Sequence, residues 1–198
     1  MAPERVEWHS GVAEAFLNNP TCTGVYLGID PSLTGTGLAV VGVDDSNQEL
    51  FYSVHTVKTA GLSETERLER IYNALGAYMP PVRGTCMEDL PRNAMSAGQT
   101  GQAQGVLRLA VRSLPHSNND FHTVAPSTLK KFATGNGRAD KGAMMEAVEA
   151  VNMPVDDDNQ ADALSLALLA RSLRETPSRS SEVKVKLVET FAEPVEGA

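Results

Sequence analysis

Residues 25–41 read VYLGIDPSLTGTGLAVV, two apolar runs separated by a short segment rich in glycine and proline. This pattern predicts a strand, a tight turn and a second strand that returns beside the first. Asp30 ends the first run, and we expect Gly35 and Gly37 to let the chain reverse without a penalty from a Cβ atom. An acid at the rim of an apolar strand either caps the turn or is aimed at a metal or a phosphate. Both interpretations are open at this point.

The composition predicts one well-packed domain. The chain has 198 residues, of which 41% are hydrophobic, and this is enough for one full-sized domain with additional tails. No run approaches the roughly 20 apolar residues of a membrane span, and no signal peptide is recognisable. The two cysteines, Cys22 and Cys86, do not have a metal-ligand spacing. We therefore expect a cytoplasmic protein with no membrane partner.

Charge is distributed unevenly along the chain. The formal net charge of −8 argues mildly against a partner made of nucleic acid. The segment from Arg108 to Lys141, however, holds six basic side chains against two acidic ones. A basic middle segment in an acidic protein is compatible with a localised phosphate-binding face.

The order of the predicted elements indicates an α/β fold. Three strands with short links form an antiparallel meander, and two later strands, each reached through a helix, should lie parallel to the first. The result is a mixed five-stranded sheet with helices on both faces. We expect an N-terminal extension over 1–22, one domain over 23–175 and a polar, partly disordered tail over 176–198. The predicted strands are Gly24–Ile29, Thr36–Val43, Glu49–Val57, Thr85–Leu90 and Phe121–Val124, and the helices include one that follows a capping box at Ser63, Ser96–Ser113 and Gln160–Leu173.

The long helix predicted from Ser96 to Ser113 has one face of small and apolar side chains. Such a face allows another helix to approach closely, which makes it a candidate contact between subunits. Packing within the subunit's own core explains the same pattern equally well. The side chains of this face are Ala103, Val106, Leu107 and Ala110.

Acidic side chains are expected to converge at one edge of the sheet. Asp30 and Glu88 end two strands that should be parallel, and sites form at the carboxyl ends of parallel strands. Asp158 and Asp162 share one face of the last helix because they are four residues apart. Such a group repels itself unless cations hold it together, and oxygen ligands suit Mg²⁺ or Mn²⁺. Helix capping is the alternative explanation for the acids at 156 and 157.

These residues resemble the RuvC family of Holliday-junction resolvases, within the RNase H-like fold. The resemblance runs from about Val25 to Leu169 and rests on five motifs in the same order. The motifs are the acid and glycines that follow Leu27; Glu88 with residues 93–97 and 101–106; residues 124–127; Lys130 with the glycine-rich loop 134–137 and Lys141; and residues 161–164 around Asp162.

The resemblance implies a homodimeric, Mg²⁺-dependent endonuclease that cuts two strands of a four-way junction symmetrically. It implies two ions per active site, with Mn²⁺ as a substitute, and leaves any helicase partner unknown. The helix from Ser96 matches the family's dimer helix. Asp30, Glu88 and Asp162 match the metal-binding, catalytic carboxylates, with Lys141 as a further catalytic residue, and the candidate DNA contacts are Arg92, Asn93, Lys130, Lys131, Arg138 and Lys141.

The sequence departs from the family at two positions. The family's fourth ligand is an Asp or His three residues before the last catalytic Asp, where this chain has Asn159. We expect Asp158 to complete the metal site and Asn159 mainly to cap the helix, although Asn159 could itself be the ligand. The family often has a stacking aromatic residue three positions after the catalytic Glu, where this chain has Pro91.

Three other functions compete with junction resolution. The segment from Gly28 to Gly37 resembles the phosphate loop of actin-like sugar kinases, but that architecture needs two duplicated domains, for which 198 residues are too few. A catalytically weak junction-binding protein is the second alternative, because Asn159 is a poor ligand. A nuclease of the same fold that acts on other branched or single-stranded DNA is the third.

Overall fold

The computed structural model describes residues 2–76, 79–90, 97–114 and 120–175, which form one mixed sheet flanked by helices. The strand order across the sheet is β1-β4-β3-β2-β5-β6. The strands are β1 Glu4–Arg5, β2 Gly24–Asp30, β3 Gly35–Val43, β4 Glu49–Lys58, β5 Val82–Glu88 and β6 Asp120–Val124; the helices are α1 Ser10–Asn18, α2 Glu64–Asn73, α3 Ala97–Arg112, α4 Pro126–Thr134, α5 Lys141–Ala150 and α6 Asp158–Glu175.

The predicted meander and parallel pairings are confirmed. β2 pairs antiparallel with β3, and β3 pairs antiparallel with β4. β2 and β5 are parallel, as are β5 and β6, so the carboxyl ends of three strands lie at one edge. β5 begins at Val82 rather than Thr85, because Val82 is buried and pairs with Val25 directly after the proline pair.

The number of strands differs from the predicted five. The additional strand, β1, is only two residues long and pairs in parallel with β4 at the edge of the sheet. Its residues are exposed, so the strand has no alternating apolar pattern from which it could be predicted. The sequence around it supplies core residues as well, since Trp8 and Val12 pack with the residues beneath α2 and α3.

Helices cover both faces of the sheet, and each face has its own core. Alternate side chains of β2 point in opposite directions: Leu27 and Ile29 join the core under α1, α2 and α3, whereas Tyr26 joins the core under α4, α5 and α6. Ser63 accepts a hydrogen bond from the backbone N–H of Glu66, and the Glu66 side chain bonds the Ser63 backbone in return, so the predicted capping box is present.

The small apolar face of α3 is part of the subunit's own core. Ala103 and Leu107 are fully buried and Ala110 nearly so. Of the two explanations for this face, packing within the subunit is therefore the one found, and Ala103 is not available for contact with a partner. The opposite face of α3 is exposed and includes Gly105 and Leu109.

Two further sequence predictions concern the ends of the chain and membranes. The predicted tail over 176–198 lies outside the described residues. Within the residues that the structure describes, no helix is long and apolar enough to cross a bilayer.

Candidate active site

Asp30 and Glu88 stand side by side at the carboxyl edge of the sheet. β2 and β5 are parallel neighbours, and the register pairs Ile29 with Met87, so the next residue of each strand is an acid. Both acidic residues are partly buried. The buried side chain of Gln104 on α3 donates a hydrogen bond of 2.7 Å to the backbone carbonyl of Glu88, which fixes the end of β5.

Two glycines allow α6 to lie directly on this edge. Gly28 on β2 faces the backbone of Ala163, and Gly37 on β3 faces the backbone oxygen of Asn159. A Cβ atom at either glycine would overlap the helix backbone. Gly37 also pairs with Asp30 across the sheet, so the first turns of α6 are brought beside Asp30.

The expected role of Gly35 and Gly37 in chain reversal was wrong. Both belong to β3, and neither has the positive φ at which glycine is favoured. Gly37 is required by the close approach of α6, whereas Gly35 has room, because a Cβ there would lie 3.5 Å from the Asn159 side-chain nitrogen.

Hydrogen bonds fix the start of α6 at Asp157. The Asp157 carboxylate accepts a bond of 2.9 Å from the backbone N–H of Gln160, and it also accepts bonds of 2.7 and 2.9 Å from the Thr56 hydroxyl. The prediction that Asn159 mainly caps the helix was therefore wrong, since Asn159 lies inside the first turn. Asp158 begins the helix, and Asp162 follows one turn later.

Burial and neighbouring charge raise the pKa values of three carboxyl groups. Burial, with a contribution from Asp162, raises the pKa of Glu88 to about 7. Burial likewise raises the pKa of Asp162 to about 6, with Asp158 adding to the shift. The pKa of Asp30 is raised well above its usual range, first by burial and then by the charges of Glu88, Asp162 and Asp158. The four acids predicted from the sequence therefore form one electrostatically coupled group.

Two lysines bring positive charge to these carboxylates. The ammonium group of Lys141, the first residue of α5, forms an ion pair with Asp158. The charge of Lys130 on α4 lowers the pKa values of Glu88 and Asp162 against the effect of burial. Lys131 and Arg138 lie on the same α4–loop–α5 segment and are exposed. Pro91, Arg92 and Asn93 lie outside the described residues.

The donor set fits a hard divalent cation. Asp30, Glu88, Asp158 and Asp162 offer only oxygen ligands, which Mg²⁺ and Mn²⁺ prefer. One carboxylate oxygen of Asp162 is buried and, within the described residues, has no hydrogen-bond partner. As the side chains stand, no three Asp, Glu, His or Cys residues in the described ranges lie close enough to hold one ion together.

Sequence reasoning missed the residues that support this site. Thr56 contacts Asp157 from 101 residues away, and Gln104 contacts the Glu88 backbone across 16 residues. No local pattern reveals such pairs. For Gln104, the sequence did offer an indication, because this residue belongs to the motif of residues 101–106 on which the family resemblance rests.

Known proteins resemble this chain over most of its length. The family model for crossover junction endodeoxyribonuclease RuvC matches residues 26–170. The protein of that name from Mycolicibacterium vanbaalenii is 35% identical over 150 residues, covering 72% of this chain and 76% of the relative. The one from Corynebacterium glutamicum is 37% identical over 152 residues, covering 72% and 66%.

A solved structure is similar as well. Thermus thermophilus RuvC in complex with a Holliday junction substrate aligns with a TM-score of 0.59 at 26% identity, over 77% of this chain and 96% of that one. The matched region begins in β2 and ends in α6, so it contains all four acids of the candidate site. This chain therefore belongs to the RuvC family.

Proposed function

We propose that this protein is a metal-dependent endonuclease that resolves four-way DNA junctions by symmetric hydrolysis of two phosphodiester bonds. The observation that carries the proposal is the coupled group of Asp30, Glu88, Asp158 and Asp162, flanked by Lys130 and Lys141, in a chain of the RuvC family. Coupled, partly buried acids at the carboxyl edge of a sheet mark a functional site better than a structural one, because their mutual repulsion is unfavourable for folding.

The four acids would hold the metal ions. Asp30 on β2, Glu88 on β5 and Asp162 on α6 are electrostatically coupled from three elements, and Asp158 lies one turn before Asp162 on the helix. When bound, two Mg²⁺ or Mn²⁺ ions would activate the attacking water and offset charge on the leaving oxygen. The raised pKa values of Glu88 and Asp162 support this role, since proximity of cations is what such acids need in order to ionise.

The two lysines would act on the substrate's phosphate. Lys141 is paired with Asp158 but four-fifths exposed, so its ammonium group can exchange that carboxylate for a phosphate oxygen. Lys130 is partly buried beside Glu88 and Asp162. A cation held at this place offsets negative charge that develops on the phosphate in the transition state.

The exposed basic residues of the α4–loop–α5 segment would guide the DNA backbone. Lys131 and Arg138 are exposed on this segment, and the loop between the helices is held by a bond of 3.0 Å from the Arg138 backbone N–H to the Asn136 side chain. Contacts of this kind position a duplex without reading its sequence. Arg92 and Asn93 remain candidates for the same role from the sequence alone.

A homodimer would provide the two active sites that symmetric cleavage requires. The exposed face of α3 is the candidate contact, because Gly98 and Gly105 leave space for a close helix and Leu109 is 61% exposed. This face replaces the buried one around Ala103 that the sequence pattern singled out.

A catalytically weak junction-binding protein is the second candidate. The observation that favours it is Asn159, a neutral amide at the position where the family has an Asp or His. A related nuclease that acts on other branched DNA would differ from a junction resolvase only in its substrate. One cleavage assay distinguishes both alternatives from junction resolution.

The experiment is a cleavage assay on a synthetic four-way junction beside matched duplex and flap DNA, with and without Mg²⁺. We expect two symmetric cuts in the junction that depend on the added ion. Binding without cleavage at any Mg²⁺ or Mn²⁺ concentration would favour the second candidate, and stronger cleavage of the flap would favour another branched substrate.

A further inference from the structure

The loop before α6 is tied to the N-terminal strand β1, which lies beside β4 at the edge of the sheet. Both terminal guanidinium nitrogens of Arg5 donate to the Asp156 carboxylate, at 2.6 and 3.1 Å. Arg5 itself is fixed by the pairing of β1 with β4, where the Val6 backbone N–H donates to the Tyr52 carbonyl at 2.9 Å. The two-residue strand β1 thus ends in a two-point contact with the segment that leads into the active-site helix.

Two neighbouring contacts complete this anchor. The Tyr52 hydroxyl donates a bond of 3.0 Å to the Pro154 carbonyl, and the Thr56 hydroxyl bonds Asp157. The backbone N–H of Asp156 donates to the Gln160 side chain at 3.0 Å, which links Asp156 to the first turn of α6. The loop is therefore held at Pro154, Asp156 and Asp157, directly before Asp158, where the helix begins.

We propose that Arg5 is a positioning residue that fixes Asp158 and Asp162 for metal binding through its contact with Asp156. The inference rests on the proposed function and extends it to a part of the chain that precedes the matched family region, which begins at residue 26. Asp156 is two residues before Asp158, so a shift of the loop is transmitted directly to the start of α6.

The energetics favour a role in geometry over one in stability. The side chains of Arg5 and Asp156 are 39% and 65% exposed, and ion pairs this exposed add little to the stability of a fold. A two-point Arg–carboxylate contact nevertheless fixes direction as well as distance. Active sites are sensitive to such direction, because a misplacement of about 1 Å can reduce activity by roughly 100-fold.

The test compares Arg5→Ala, Arg5→Lys, Asp156→Ala and the double variant Arg5→Ala/Asp156→Ala in the full chain. The control is Asp45→Ala, which removes an exposed aspartate from a second Arg–Asp ion pair, with Arg83 at 3.6 Å, that does not contact the loop before α6. Mn²⁺ affinity is measured without DNA by the electron paramagnetic resonance signal of the free ion. The Mg²⁺ concentration for half-maximal junction cleavage and the metal-free affinity for the junction are measured in parallel.

We expect Arg5→Ala and Asp156→Ala to weaken Mn²⁺ binding by about 3- to 10-fold, below the roughly 10- to 100-fold loss for direct neighbours of metal ligands. The Mg²⁺ midpoint should rise by a similar factor, with junction affinity and melting temperature unchanged relative to Asp45→Ala. The double variant should be no worse than either single one. Arg5→Lys should recover only part of the Mn²⁺ affinity. Lysine keeps the positive charge but cannot form the two-point contact with the Asp156 carboxylate.

Two results would overturn the inference. One is an Mn²⁺ affinity that matches the wild type in both single variants. The other is a fall in melting temperature well beyond the control's together with lost junction binding, which would make the contact structural.

Failure of the proposed function is distinguishable from failure of this inference. A wild type that neither binds Mn²⁺ nor cuts junctions would contradict the proposed function. In that case hydrogen exchange of the backbone amides at residues 160–163 still tests the positioning. Arg5→Ala should accelerate it severalfold, and unchanged exchange would reject the role of Arg5.

Discussion

Asp158 and Asn159 are neighbours in the first turn of α6, and the structure separates their surroundings. Asp158 carries charge into the site and is paired with Lys141. The Asn159 backbone lies against Gly37, and its side-chain nitrogen is near Gly35. Divalent sites in proteins gain affinity from ligand charge, so Asp158 is the stronger candidate for the fourth ligand.

The first prediction concerns this pair. Asp158→Asn should raise the Mg²⁺ concentration for half-maximal cleavage by roughly tenfold, because the site loses one charge. Asn159→Ala should leave it nearly unchanged. Metal titrations of the cleavage rate provide the measurement. If Asn159→Asp sharply improves Mg²⁺ affinity and Asp158→Asn has no effect, Asn159 is the ligand position instead.

The second prediction concerns pH. In the metal-free folded protein Glu88 keeps its proton up to about pH 7, whereas in the unfolded chain it loses it near 4.5. The folded state therefore binds more protons between these values, and its stability falls as the pH rises through them. In the presence of a chelator, the melting temperature should drop between pH 5 and pH 8, and Glu88→Gln should reduce that drop.

Added Mg²⁺ provides the control for this pH dependence. Metal ligands must be ionised, so the gain in melting temperature on adding Mg²⁺ should be larger at pH 8 than at pH 5.5. An equal pH dependence in Glu88→Gln and the wild type would show that Glu88 is not the group responsible.

At the residue scale, the sequence was informative where acids end strands. Asp30 and Glu88 follow apolar runs directly, so strand order alone brings them to one edge. Arg5, Thr56 and Gln104 could not be found in this way, because their partners are distant in sequence and only the folded chain joins them.

At the scale of elements, the close contact of α6 with β2 and β3 decides where Asp158 and Asp162 lie. The glycines that permit it have no side chain to form a pattern, and the turn-like composition around Gly37 suggested chain reversal instead. The helices and strands themselves were predictable from periodicity and caps. The two-residue β1 was not, because its residues are exposed.

The third prediction tests this contact. Gly37→Ala should destabilise the fold by about 1–3 kcal/mol, since the new methyl group would displace the backbone of α6 at Asn159. Gly35→Ala is the matched control and should change stability much less, because its Cβ would meet only the Asn159 side chain at 3.5 Å. Urea unfolding measures both. Equal effects of the two substitutions would show that α6 does not need the glycine at 37.

At the scale of the whole molecule, the sequence predicted a mixed sheet with helices on both faces, but the α3 face that it singled out as a candidate dimer contact is filled by the subunit's own core. Small residues at helical spacing occur in cores and in interfaces alike, and only the packed structure distinguishes them. Ala103 is buried, so a charged residue there would disrupt the subunit itself and would not test dimerisation.

The fourth prediction uses the exposed face of α3. Leu109→Glu should give folded monomers with poor junction cleavage, because Leu109 is exposed in the subunit and would be buried between two copies. Leu17→Glu on α1 is the control, since Leu17 is 77% exposed and lies on another element. Analytical ultracentrifugation with and without junction DNA provides the measurement. A wild type that remains monomeric on the junction would exclude this dimer.

The most direct test of the carboxylate site is the substitution Asp30→Asn, measured by single-turnover cleavage and by binding to the same four-way junction. Asp30 is electrostatically coupled to Glu88, Asp158 and Asp162, so the neutral amide should remove metal-dependent cleavage. Junction affinity should stay close to that of the wild type, because contacts to phosphates supply it. Full cleavage activity in Asp30→Asn at saturating Mg²⁺ would contradict the assignment of this group as the catalytic site.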